Sequence, residues 1–376
     1  MSRRIIIAGG GTGGHIFPAL AIAGALKKMD SSIEILFVGA KGKMEMEKIP
    51  QAGYPIEGLD IAGFNRSSLI KNIGLPWKLL KSFWQVRKVL RQFKPDAVLG
   101  VGGYSSFPVL RLAQVKGIPT FLHEANSYAG RSNQLLAKKV NCVFAGVLGL
   151  DRFFPAEKVC YTGNPVRDVI TQPLPSLEES RKHFKLDSNR PTLLVVGGSL
   201  GARSINEAIS NGLDRLLAAN IQVIWQTGKP FASHAEKVCR GKQGVWTGAF
   251  IQQMEMAYAA STFIVARAGA MTVAEIAVVA KPAIFVPFPH AAEDHQTANA
   301  MQLVKRQAGL LIADHDAATQ LISAVIELCQ NEEMRKQMAE QIKPLGIRDA
   351  DERVAVELLK RIRLNEAGRS KYRFVG

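Results

Sequence analysis

Short runs of β-branched and apolar residues alternate along most of the chain with stretches of helical period. "RRIIIAGG", "IEILFVGA", "DAVLGVGG", "IPTFLHE" and "NCVFAG" come first. Near-continuous apolarity of this kind marks strands buried on both faces, as in a parallel sheet. From Pro191 the pattern restarts with "PTLLVVGGSLGARSINEAI", followed by "IQVIWQTGK", "GVWTGAF", "TFIVARAGA" and "KPAIFVPFP". Each half opens with a strand, enters a Gly-rich turn and continues as a helix of small apolar residues, which is the βα unit of a doubly wound sheet. The intervening "TGNPVRDVITQPLPSLEESRKHFKLDSNRP" is rich in Pro and polar residues and reads as the linker. A chain of 376 residues exceeds what one hydrophobic core usually serves. The pattern therefore predicts an α/β protein of two doubly wound domains with a cleft between them, spanning 1–165 and 166–349. A last helix, within about 350–376, is expected to pack back on the first domain.

One helical stretch departs from simple amphipathicity. In "PWKLLKSFWQVRKVLRQF", Leu79, Phe83, Val86, Leu90 and Phe93 fall on one stripe, the face expected to enter the core. Trp77, Leu80 and Trp84 form a second apolar face bordered by Lys81, Arg87, Lys88 and Arg91. Interfacial tryptophan with a cationic fringe suits a helix lying on an anionic membrane; burial under a loop or a partner protein is the alternative. Composition sharpens this. Lys and Arg outnumber Asp and Glu by 48 to 32, a net charge of +16 that implies an anionic partner. No motif that reads DNA or RNA is present, so phosphorylated ligands and anionic lipid are favoured over nucleic acid. The apolar run Ile5 to Ala8 is far shorter than a signal-peptide core, and no window approaches the roughly 18 uninterrupted apolar residues of a membrane span. The four cysteines lie far apart with no C-x-x-C pair, which argues against a zinc site or a disulfide framework and suits a reducing cytoplasm.

The chemistry gathers at glycine loops. "GGGTGGH", Gly9 to His15, matches G-x-G-x-x-G, yet the second strand ends "LFVGAKGK" with no carboxylate placed for a dinucleotide ribose. A P-loop would need Lys-Ser/Thr after the last glycine, where His15-Ile16 stands. What remains is a backbone cradle for an anion, with Thr12 donating a hydroxyl bond and a helix beginning near Pro18 adding its positive end. His15, where the loop enters that helix, is either a packing residue or a base for a sugar hydroxyl. "VLGVGGYSSFP" repeats the arrangement with Gly102, Gly103, Ser105 and Ser106, and "VVGGSLGARS" repeats it again with Ser199. Three such loops imply two diphosphate-bearing ligands.

Taken in order, "GGGTGGHIFPALA", "GGYSSFP", "HEANSYAGRSNQLLA", "TGNPVR", "GGSLGARSIN", "RAGAMTVAEIA" and "DHQTANA" resemble the MurG family of two-domain GT-B glycosyltransferases, over nearly the whole chain. The resemblance implies transfer of N-acetylglucosamine from UDP-GlcNAc to the MurNAc 4-hydroxyl of lipid I, with inversion, forming lipid II for peptidoglycan. It implies a peripheral enzyme on the cytoplasmic face of the bacterial inner membrane, partnered by anionic lipids and other cell-wall synthesis proteins. By the resemblance Glu275 binds the ribose, with Ala270, Met271 and Thr272 lining the nucleotide; Thr272 and Glu275, three apart, also fit a capping box. Ile251 is placed at the uracil, or simply in the core. Ser199 and Arg167 are placed at the donor diphosphate, though Arg167 also fits a solvated linker charge. Asn126 and Gln296 are placed at the donor sugar, and Thr12, Gly13 and Gly14 complete the donor set. Gly13, Gly14, Gly102, Gly103, Ser105 and Ser106 are placed at the acceptor diphosphate. The family sometimes carries a second glutamine where Thr297 stands. Glu124, beside His123, orients a base or closes its loop, and His15 is the candidate base. No cofactor and no metal are expected: Asp314 to Asp316 and Asp349 to Asp351 read as helix caps rather than as a strand-end Asp-x-Asp. Another GT-B enzyme such as a soluble UDP-GlcNAc epimerase and a non-catalytic binder of anionic lipid or nucleic acid are the competing classes; the tryptophan face speaks against the first and three glycine loops against the second.

Overall fold

A computed structural model describes residues 2–63, 75–198 and 200–372, with side chains for all of these except 75 and 365–372. The chain divides into two units, Met1–Arg167 with Asp349–Gly376, and Asp168–Arg348.

Unit 1 holds strands β1 (Arg4–Gly9), β2 (Glu34–Ala40), β3 (Ile56–Leu59), β4 (Ala97–Gly102), β5 (Thr120–Glu124), β6 (Cys142–Ala145) and β7 (Val159–Tyr161). They form one parallel sheet in the order β3-β2-β1-β4-β5-β6-β7. Its helices are α1 (Gly13–Met29), α2 (Glu45–Gln51), α3 (Leu75–Phe93), α4 (Ser106–Val115) and α5 (Arg131–Ala137). Alternate residues of each strand feed opposite cores. Ile5, Ile7, Phe37 and Leu99 pack with α1, while Ile6, Ala8, Val38 and Val98 pack with α3 and α4. α1 begins at Gly13, earlier than expected. Pro18 lies inside it and forgoes a bond to the Gly14 carbonyl, which sits at the exposed start of the helix where water can serve it.

Unit 2 holds α6 (Asp168–Thr171), α7 (Leu177–His183) and strands β8 (Thr192–Val196), β9 (Gln222–Gln226), β10 (Val245–Gly248), β11 (Phe263–Ala266), β12 (Ala283–Phe285) and β13 (Leu310–Leu311). The order is β10-β9-β8-β11-β12-β13, again all parallel. Its further helices are α8 (Arg203–Ala218), α9 (Lys229–Cys239), α10 (Met254–Ala260), α11 (Ala270–Val279), α12 (His295–Val304), α13 (Ala317–Gln330) and α14 (Glu332–Ile342). The segment read as the linker holds two short helices, α6 and α7. α7 is capped by Ser176, which accepts the Glu179 N–H at 3.2 Å, and the buried Arg181 donates to the carbonyl of Ala260 at 3.2 Å.

The last helix, α15 (Ala350–Tyr372), belongs to unit 1, where Val354, Ala355, Leu358 and Ile362 share a core with α1 and the sheet.

Candidate active site

In a doubly wound sheet, ligands bind beyond the carboxyl ends of the strands where the strand order reverses. In unit 1 that point lies between β1 and β4, and two glycine loops meet there. The Gly10 N–H donates to the Gly102 carbonyl at 3.3 Å, and a Cβ on Gly103, whose φ is +84°, would lie 2.4 Å from the Gly10 carbonyl oxygen. Thr12 and Gly14 are exposed at the start of α1, where first-turn N–H groups lack intrahelical partners. His15 stands within this first turn rather than in the loop, its Nδ1 3.1 Å from the Gly10 carbonyl and 3.4 Å from Thr12 Oγ1. A carbonyl can only accept, so that contact places a proton on Nδ1 and, in the neutral ring, the lone pair on Nε2. On the neighbouring loop Ser105 and Ser106 are buried, and the Ser106 hydroxyl donates to the Gly103 carbonyl at 2.8 Å. α4 starts at Ser106, whose hydroxyl is thereby turned toward the Gly103 carbonyl.

Sequence reasoning passed over Glu45. It is buried at the foot of the glycine loop and accepts the N–H of Gly11 at 2.8 Å and of Ala40 at 3.0 Å. The available signal was an acid opening the helix that follows the second strand, slightly later than the dinucleotide pattern places one.

At the end of β5, burial pushes His123 down to about 4, which keeps its ring neutral. Burial raises the Glu124 carboxyl as well, and four donated bonds oppose that rise: from the Asn126 backbone and side chain at 3.1 and 3.3 Å, from the Gly130 N–H at 3.2 Å and from Asn133 at 2.8 Å. Glu124 thus closes the loop that presents Asn126. Arg167 is in unit 1, its guanidinium 5.4 Å from the centre of the Phe17 ring on α1.

In unit 2 the reversal lies between β8 and β11. Ser199, in the loop after β8, lies outside the described residues. After β11, Gly269 caps α11, and Ala270, Met271 and Thr272 form its half-buried first turn. A Thr272–Glu275 capping box is excluded, because Thr272 is already the third residue of the helix. Glu275 is buried and accepts the Tyr258 hydroxyl proton at 2.9 Å. The Ile251 side chain is in the core and its N–H donates to Gln226 at 3.0 Å, so any contact with a base falls to its backbone. Gln296 accepts the Phe288 N–H at 2.9 Å, and Thr297 donates to Asp294 at 2.8 Å, which occupies the hydroxyl that replaces a second amide. Before Gln296, Glu293 and Asp294 hold φ values of 50° and 51°, strain of the kind found at ligand clamps. Arg267 also escaped notice: it donates to the carbonyls of Val286 at 3.0 Å and Pro287 at 2.9 Å and pairs with Asp314. Asp349 pairs with Arg353 at 3.0 Å. Among the described residues no three acidic, histidine or cysteine side chains converge as metal ligands.

On α3, Val86 and Leu90 are buried as the stripe requires, while Trp77, Leu80 and Trp84 are 76%, 61% and 69% exposed. Arg87, Lys88 and Arg91 are exposed beside them. Lys81 instead meets Asp60 at 3.0 Å, and with Lys41 holds that carboxyl down to about 2. No helix among the described residues is long and apolar enough to cross a membrane.

Two parallel, doubly wound units with glycine loops at their reversal points define a GT-B architecture. Residues 5–145 match the glycosyltransferase family 28 N-terminal domain and residues 192–354 its C-terminal domain, and the chain belongs to that family. It is 45% identical over 95% of its length to a protein of Parabacteroides distasonis, covering 98% of that protein, named UDP-N-acetylglucosamine–N-acetylmuramyl-(pentapeptide) pyrophosphoryl-undecaprenol N-acetylglucosamine transferase. A protein of the same name from Phocaeicola vulgatus is 46% identical over 95% of this chain and 96% of its own. The crystal structure of Acinetobacter baumannii MurG superposes with a TM-score of 0.76 at 27% identity, covering 96% of this chain and all of that one. An S. aureus MnaA–UDP structure shares the fold, with a TM-score of 0.68 at 18% identity over 97% of this chain and 98% of its own.

Proposed function

We propose that this protein is a hexosyltransferase that moves N-acetylglucosamine from UDP-GlcNAc to the sugar of an undecaprenyl-pyrophosphoryl-MurNAc-pentapeptide, the step that forms lipid II. The observation that carries this is the 45% identity over 95% of the chain to a relative named for that transfer. Unit 2 takes the uridine diphosphate, with Glu275 on the ribose, the first turn of α11 beside the nucleotide, Ser199 at the diphosphate and Gln296 on the sugar hydroxyls. Amides both donate and accept, as sugar recognition requires. In unit 1, first-turn N–H groups at Gly13 and Gly14 and the turn at Gly102 and Gly103 meet the acceptor's diphosphate. The acceptor hydroxyl attacks the anomeric carbon, the bond to UDP breaks, and Nε2 of His15 receives the hydroxyl proton, a single displacement that inverts configuration. Helix N-termini meet the leaving-group charge without a metal. The exposed tryptophans and cations of α3 support a peripheral seat on anionic lipid at the cytoplasmic face.

Incubation with labelled UDP-GlcNAc and a lipid I analogue, with and without chelator, tests this. A disaccharide lipid formed equally under both conditions is the expected result. No product in either condition overturns the transferase reading, and product only with restored magnesium overturns the metal-free one.

A further inference from the structure

Glu45 opens α2 shortly after β2 and is 1% exposed, a burial that a carboxylate tolerates only with good partners. Its Oε1 accepts the Ala40 N–H at 3.0 Å and its Oε2 the Gly11 N–H at 2.8 Å. The Gly11 N–H belongs to the same planar amide as the Gly10 carbonyl, which lies 3.1 Å from His15 Nδ1. One peptide group therefore joins the carboxylate to the imidazole. The chain leaves room for it: a Cβ on Gly10 would lie 2.4 Å from the Glu45 carboxyl carbon, and one on Gly39 would lie 2.5 Å from its Cγ. An anion on the N–H side of an amide increases the negative charge on its oxygen, and linked hydrogen bonds strengthen one another by about 10–30% each. A stronger acceptor at Gly10 fixes the Nδ1–H tautomer, aims the Nε2 lone pair and stabilises the imidazolium formed when the base takes its proton.

We propose that Glu45 is a positioning residue for His15, acting through the Gly10–Gly11 peptide group in the way a carboxylate acts directly in a carboxylate–imidazole pair. Its catalytic consequence rests on the reading of His15 as the base. Tyr104, whose ring lies against Gly11, His123, kept neutral by burial, and Arg167 over Phe17 are also packed near this loop. The Glu45 carboxylate is the group that accepts the N–H of the Gly10–Gly11 amide.

The test compares the full chain with E45Q, which keeps the shape and removes the charge, by histidine NMR titration and by the pH profile of turnover. In E45Q the His15 midpoint is expected to fall by about one pH unit. The acid limb of kcat should fall with it, and plateau kcat should drop about tenfold, with KM for UDP-GlcNAc unchanged. E45D, charged but shorter, should recover part of the midpoint. In the unmodified protein the Ala40 amide proton, on the far oxygen of the same carboxylate, should follow the His15 midpoint. This measurement decides the matter even if E45Q does not fold. An unmoved His15 midpoint in folded E45Q, or an Ala40 amide blind to His15, overturns the proposal. H15Q separates the two readings: full turnover there removes His15 as the base, while the Ala40 titration in the unmodified protein still reports whether Glu45 and His15 are coupled.

Discussion

At the scale of single residues, partners decide what a polar side chain can do. Glu275 is held by the Tyr258 hydroxyl on one oxygen, so its carboxylate is oriented, and the ribose contact proposed for it would cost little entropy. Glu275→Ala should weaken UDP binding by about 1–3 kcal/mol, the worth of charge-assisted bonds to ribose hydroxyls. Calorimetric titration with UDP checks this, and unchanged affinity in a folded variant leaves Glu275 as a partner of Tyr258 alone. The family resemblance made Glu275 and Gln296 candidates, and a place beside a glycine loop made His15 one. They did not reveal Glu45, because nothing local distinguishes a surface helix-opening glutamate from one folded back under a glycine loop. Nor did the sequence show that the Ser106 hydroxyl, beside two glycines, donates to the Gly103 carbonyl.

At the scale of an element, α3 carries two apolar faces and the structure separates them. Val86 and Leu90 anchor it in the core, while Trp77, Leu80 and Trp84 stay in solvent. Exposed tryptophans of this kind, fringed by cations, favour a lipid interface, each free cation adding about 1 kcal/mol at an anionic leaflet. Replacing Trp77 and Trp84 with Ser and Arg87, Lys88 and Arg91 with Gln should abolish sedimentation with anionic vesicles and leave UDP affinity unchanged. Lys81→Gln alone should matter least, since Lys81 is engaged by Asp60. High salt should weaken vesicle binding of the unmodified protein, with the tryptophans retaining part of it. Undiminished vesicle binding by the multiple variant would show that the membrane contact lies elsewhere.

At the scale of the whole molecule, the two ends of the chain fold together. Leu358 on α15 is fully buried in the core of unit 1 beside Ile22 and Leu26 of α1. Leu358→Ala should destabilise unit 1 by about 2–5 kcal/mol through lost burial and the cavity left behind. Thermal unfolding with and without UDP reads this; a drop confined to a UDP-stabilised transition would mean that α15 supports unit 2 instead. Strand runs, their restart at Pro191 and the glycine loops were legible in the sequence, because buried parallel strands and tight turns impose composition on consecutive residues. The edge strands β3, β7 and β13 were not, because most of their residues are only partly buried and no long apolar run marks them. The sequence by itself determined the doubly wound class, the repeat of its grammar and the positions of the glycine loops at the points where strand order reverses. Only the tertiary structure decided which side chains fasten α7 and α15 to their units, Arg181 at the Ala260 carbonyl and Leu358 in the core shared with α1, and that Glu45 lies behind His15. Those facts rest on contacts between residues far apart in the chain, which leave no period or spacing in the sequence between them.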